Sequence, residues 1–214
     1  MADRGGAGAL RRRRLTCYAA GMVAAAKIPV RMSVEEFLAW DPQDGRSWQL
    51  VDGEPQAMAP TTRTHGALQS EVSALLRNHL AERGSPCTVI TTPGVVPRVN
   101  AGINVRIPDL AVTCAPYTTE EAALAAPVLV IELLSPSNAA ETWSNVWTYT
   151  TIPSVAEILV LHTVRIGAEL LRRDAGGTWP EQPLSLRDGT LELASIGFAA
   201  PLSLLYRTTR LAPA

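Results

Sequence analysis

No run of about 20 apolar residues occurs in this 214-residue chain, so nothing in it reads as a membrane-spanning helix. Cysteine is scarce. Cys17, Cys87 and Cys114 are odd in number and far apart, and no C-x-x-C pair exists. That argues against a disulfide framework or a cysteine-based zinc site, and it fits a reducing, cytoplasmic setting. Neither common glycine-rich phosphate loop is present. Ser135 and Ser137 lack a G-x-S-x-G context and belong to a turn rather than to a nucleophile. Lysine is almost missing: the single one is Lys27.

What is present suits one globular domain. Apolar residues make up 47% of the chain and charged residues 18%, and the length suffices for a single sizeable core. The net charge of −1 conceals an asymmetry. Residues 1–31 hold seven basic residues against Asp3 alone, which leaves 12 basic and 19 acidic residues in 32–214, a net of −7. The segment 1–31 has three readings: a disordered basic tail or over-long start, a weak signal sequence, or a basic arm for nucleic acid. The domain is expected over 32–210.

Local signals order the body. Ser33 and Glu36 form a capping box that opens a short helix over Val34 to Trp40. Asp52-Gly53 joins strands Ser47–Val51 and Pro55–Ala59 as a hairpin. Leu68, Val72, Leu75, Leu76 and Leu80 recur at helical spacing, which predicts a helix over Thr64 to Arg83. Glu71 on it is expected on a solvated face. Strands are expected at Thr88–Thr92, Val95–Val99 and Asp109–Cys114.

The run PVLVIELL, residues 127–134, is apolar except for Glu132, as a strand buried on both faces would be. A helix over Ala139 to Thr150 follows, with Asn138 as its cap. Trp143 and Trp147 on it read as packing residues. Strands at Ala156–His162, Ile166–Arg173 and Thr190–Leu193 and a helical turn at Leu202–Tyr206 complete the body. The order predicts a mixed α/β (α+β) fold with a partly antiparallel sheet and flanking helices.

Glu132 and Asp109 stand out chemically. A carboxylate among apolar strand residues is costly unless it is paired or ligates a cation. Two such carboxylates at the ends of neighbouring strands suit hard cations such as Mg²⁺ or Mn²⁺. The other reading is a buried pair satisfied by backbone donors or an arginine.

The string LVDGEPQAMAP, then His65, PDLAV, VIELLSPSN and a helix ending at Tyr149 resembles the Uma family of restriction-endonuclease-like proteins, over roughly residues 31 to 206. The resemblance implies a PD-(D/E)xK nuclease core and a metal-dependent endonuclease acting on DNA, with no membrane association. A homodimer, in which two sites reach two strands, is one implied assembly. It makes Asp109 and Glu132 the metal-binding carboxylates, with Glu54 completing the acidic site and His65 contacting phosphate or a ligand.

The sequence departs from the pattern at the lysine. The position two residues beyond Glu132 is Leu134, and the alternative position, four residues before Tyr149, is Asn145. Glu141, Asn145 and Tyr149 share one helical face by i, i+4 spacing, so the frame is kept without the cation. Arg63 and Arg106 are the candidate substitutes. The alternative function is therefore a catalytically degenerate nucleic-acid-binding or regulatory module on the same fold.

Overall fold

The structure is a computed structural model that describes residues 31–212. The basic segment 1–30, with its three readings, lies outside the described residues. In chain order the elements are α1 (Val34–Leu38), β1 (Trp48–Val51), β2 (Glu54–Ala57), α2 (Arg63–Glu82), β3 (Thr88–Thr91), β4 (Leu110–Thr113), β5 (Pro127–Leu134), α3 (Ala139–Tyr149), β6 (Glu157–His162), β7 (Ala168–Arg172), β8 (Leu184–Leu186), β9 (Thr190–Leu193) and β10 (Phe198–Pro201). Short 3₁₀ turns at Ala194–Ile196 and Leu202–Tyr206 flank β10.

Six strands form the main sheet in the order β3-β4-β5-β6-β7-β8. Only β5 and β6 run parallel, with α3 as their crossover; every other pair is antiparallel. The mixed α+β class expected from the sequence is the class observed.

Strand alternation divides the core between two layers. Leu129, Ile131 and Leu133 of β5 pack with Leu68, Val72, Leu76 and Leu80 of α2 and with β9 and β10. Val130 and Leu134 pack with Val146 and Tyr149 of α3. Glu132 lies between those two on the α3 face, so the strand carries a carboxylate into an apolar layer.

The β1–β2 hairpin turns at Asp52 and Gly53, both at positive φ (48° and 84°), as its two-residue loop requires. The α1 capping box also forms: Ser33 N–H donates to Glu36 at 2.7 Å and Glu36 N–H to Ser33 Oγ at 3.2 Å.

Four expectations need correction. Val95–Val99 forms no strand; it makes a single bridge from Val95 to Arg106, because Pro97 removes a donor one step later. Glu71 is buried and ion-paired with Arg207 at 2.6 Å, because the chain after β10 folds back over α2. Asn138 does not cap α3 with its side chain; its Oδ1 accepts from Ser135 N–H at 3.1 Å and Ser135 Oγ–H at 2.7 Å, closing the turn instead.

Cys87 and Cys114 are disulfide-bonded. Thr88 pairs with Thr113 in the β3–β4 ladder, so the residues just outside that pair face each other, with Cα atoms 3.9 Å apart. Counting cysteines did not reveal a pairing that strand register creates.

Candidate metal centre

The site is built where β4 begins beside the middle of β5. Leu110 pairs antiparallel with Ile131, so Asp109 comes opposite Glu132. Asp109 is 9% exposed and Glu132 6%.

Each carboxylate is held by the protein. His65 Nε2–H donates to Asp109 Oδ1 at 2.6 Å, and the Leu133 backbone N–H donates to Asp109 Oδ2 at 2.7 Å. The Asp109 carbonyl accepts from Gln69 Nε2 at 2.8 Å and from Thr92 N–H at 3.0 Å. The Tyr149 hydroxyl donates to Glu132 Oε1 at 2.7 Å.

Local sequence explains the placements. Thr62 caps α2 by accepting from His65 N–H at 3.2 Å, which fixes the first turn and sets His65 over the start of β4. Gln69 follows one turn later on the same helix face. Tyr149 is the last residue of α3 and is fully buried against the strand it serves.

The electrostatics follow from burial. Burial first, then the negative charge of Asp109, pushes the Glu132 pKa well above the ordinary carboxylate value, against the lowering effect of the Tyr149 hydrogen bond. Tyr149 is likewise pushed well above an ordinary phenol, by burial and then by the charge of Glu132. Glu132, whose charged form burial and the charge of Asp109 both disfavour, makes this a locus where a cation is electrostatically welcome.

The donor set is all oxygen, which suits a hard divalent ion that retains several waters and takes one or two protein carboxylates. Among the described residues, no three His, Cys, Asp or Glu side chains converge as a metal-holding group. Glu54 is exposed on β2, and among the described residues no hydrogen bond joins it to Asp109 or Glu132.

Asn145 makes no hydrogen bond to the acidic pair among the described residues. Its Nδ2 donates to Gln49 Oε1 at 3.4 Å, and Gln49 Nε2 donates to Glu141 Oε1 at 2.6 Å. Gln49 is buried on β1 and escaped the sequence reading; the available signal was a polar residue between Trp48 and Leu50 in a short strand. Of the two candidate arginines, Arg63 is exposed at the start of α2, whereas Arg106 is 4% exposed.

Comparison with known proteins agrees with this architecture. Residues 34–203 match the profile of Uma2, described as "Putative restriction endonuclease". An uncharacterised protein of Synechocystis sp. is 28% identical over 179 residues, covering 83% of this chain and 92% of its own length. The crystal structure of a putative nuclease from Anabaena variabilis has a TM-score of 0.67 at 16% identity, over 83% of this chain and 98% of that one. At that identity the likeness is one of fold.

Proposed function

The chain belongs to the Uma2 family of putative restriction endonucleases, and from that premise we propose that it is a metal-dependent endonuclease hydrolysing phosphodiester bonds in DNA. The observation that carries this reading is the facing pair Asp109 and Glu132, buried and mutually repelling. Asp109 and Glu132 would hold Mg²⁺ or Mn²⁺. Such an ion supplies Lewis acidity toward a phosphoryl oxygen and a water of lowered pKa.

The chain's own residues set up the rest. His65 and the Leu133 N–H orient the two Asp109 oxygens, so that the carboxylate meets a cation without reorganising. Tyr149 fixes one Glu132 oxygen and leaves the other for ligation. The apolar layers around β5 exclude bulk water from the pair, which strengthens each of these interactions.

Plasmid DNA incubated with the protein and Mg²⁺ or Mn²⁺ tests the reading. Nicking or linearisation by the parent, reduced at least about 100-fold in Asp109→Ala, is the expected result; undiminished cleavage by Asp109→Ala overturns the assignment.

A second reading has its own observation. The position where a lysine was expected carries Asn145, engaged with Gln49 in a neutral hydrogen bond. This favours a silent nucleic-acid-binding or regulatory module. DNA retention at low salt without cleavage in any divalent metal would select it.

A further inference from the structure

A buried cation stands behind this site. Arg106 lies between β1 and the segment that follows β3, in backbone bridged on both sides: Val105 to Leu50, and Arg106 to Val95. Its side chain is turned inward and 4% exposed. One guanidinium nitrogen, Nη1, donates to the Leu50 carbonyl at 2.5 Å, while Nε is buried with no partner. Among the described residues no carboxylate forms a salt bridge with it.

A buried guanidinium with an unmatched donor is expensive as pure scaffolding, where an apolar side chain would pack at lower cost. Leu50 pairs antiparallel with Val105, so Gln49 comes opposite Arg106, and Val95, bridged to Arg106, packs in one cluster with Tyr149. Burial disfavours the cationic form of Arg106, while the charges of Asp52 and Glu141 favour it. Tyr149 is the donor that holds Glu132, and Glu141 is tied to Gln49, which neighbours Leu50 in β1. Asn145 joins the same cluster through Gln49. Arg106 thus meets, from the segment beside β1, the same Gln49 that Asn145 reaches from α3.

We propose that Arg106 is the positioning cation of this site, supplying from the β1-facing segment the positive charge that Asn145 does not provide. It acts through Tyr149 and the Glu141–Gln49 pair. Its charge offsets the accumulated negative charge of the cluster and keeps the phenol aimed at Glu132. Arginine retains its charge at every working pH, so this function needs no proton exchange. The proposal rests on the nuclease reading above.

The test uses the full chain and two readouts: plasmid cleavage with Mn²⁺, and Mn²⁺ affinity by titration calorimetry. Arg106→Gln should slow cleavage about 10- to 100-fold, the usual range for a residue that supports a metal ligand from behind. Its Mn²⁺ dissociation constant should stay within about threefold of the parent, because both ligating carboxylates remain and a nearby positive charge has been removed. Adding Asn145→Lys to Arg106→Gln should restore most of the lost rate by returning a cation to the same cluster. Arg106→Lys keeps the charge and should stay within about tenfold of the parent; it carries the test if Arg106→Gln does not fold.

Cleavage by Arg106→Gln at the parental rate overturns the inference. So does a joint loss of Mn²⁺ binding and cleavage that Asn145→Lys does not relieve, since that is the signature of structural support alone. A parent that neither binds Mn²⁺ nor cuts DNA overturns the nuclease reading and this inference with it. An active parent with an indifferent Arg106→Gln overturns this inference only.

Discussion

At the scale of single residues, Glu132 is a carboxylate whose surroundings resist its ionisation. Its pKa is raised, so the folded protein binds that proton more tightly than the unfolded chain does. The stabilising contribution is complete below the ordinary value of 4.5 and is lost as pH rises through the raised folded value. Metal-free protein should therefore lose stability from this group as pH climbs above 4.5, and Glu132→Gln should lack that slope. Thermal melts in chelator across this range check it, with Glu132→Gln melting roughly 3 °C or more above the parent at neutral pH. Tyr149→Phe should act in the opposite sense. It strips Glu132 of its donor without changing packing, and should destabilise by about 1–3 kcal/mol in urea unfolding. Asp109 and Glu132 were legible in the sequence because a charge inside an apolar strand is anomalous in one dimension. Gln69 was not, since its target Asp109 is 40 residues away, and nothing local marks a half-buried helix glutamine.

Elements divide by how local their determinants are. The hairpin at Asp52-Gly53, the capping box at Ser33 and the heptad-like leucines of α2 were readable, because each is fixed by residues within one or two turns. The strands β8 and β10 carry weak apolar patterns and exist only because β7 and β9 offer edges to pair with. Register likewise created the Cys87–Cys114 bond, which spans 27 residues and clasps the edge strand β3 to β4. Closing a loop of that length stabilises by about 3.5 kcal/mol in the chain-entropy account. Reductant should lower the urea midpoint of the parent correspondingly, and Cys87→Ser should match the reduced parent and be insensitive to reductant. Cys114 follows β4 at the end opposite Asp109, so Mn²⁺ affinity should be equal in reduced and oxidised protein; weaker binding after reduction would show that the clasp reaches the site.

The molecule as a whole is acidic in the region that carries the fold, with a net charge of −7 over residues 32–214. DNA does not approach such a body through a generic basic patch. Retention of DNA by a protein lacking residues 1–31 should therefore depend on a divalent cation at low salt, and chelator should abolish it. The class of fold was readable from element order, whereas the assembly of the site from β1, α2, β4, β5 and α3 was not, because long-range register decides it. The central claim is that Asp109 and Glu132 together form a cation site. Titration calorimetry of the full chain with Mn²⁺ tests it most directly. The account predicts binding of one ion per chain by the parent and its loss in both Asp109→Ala and Glu132→Gln; binding that survives unchanged in either variant would contradict it.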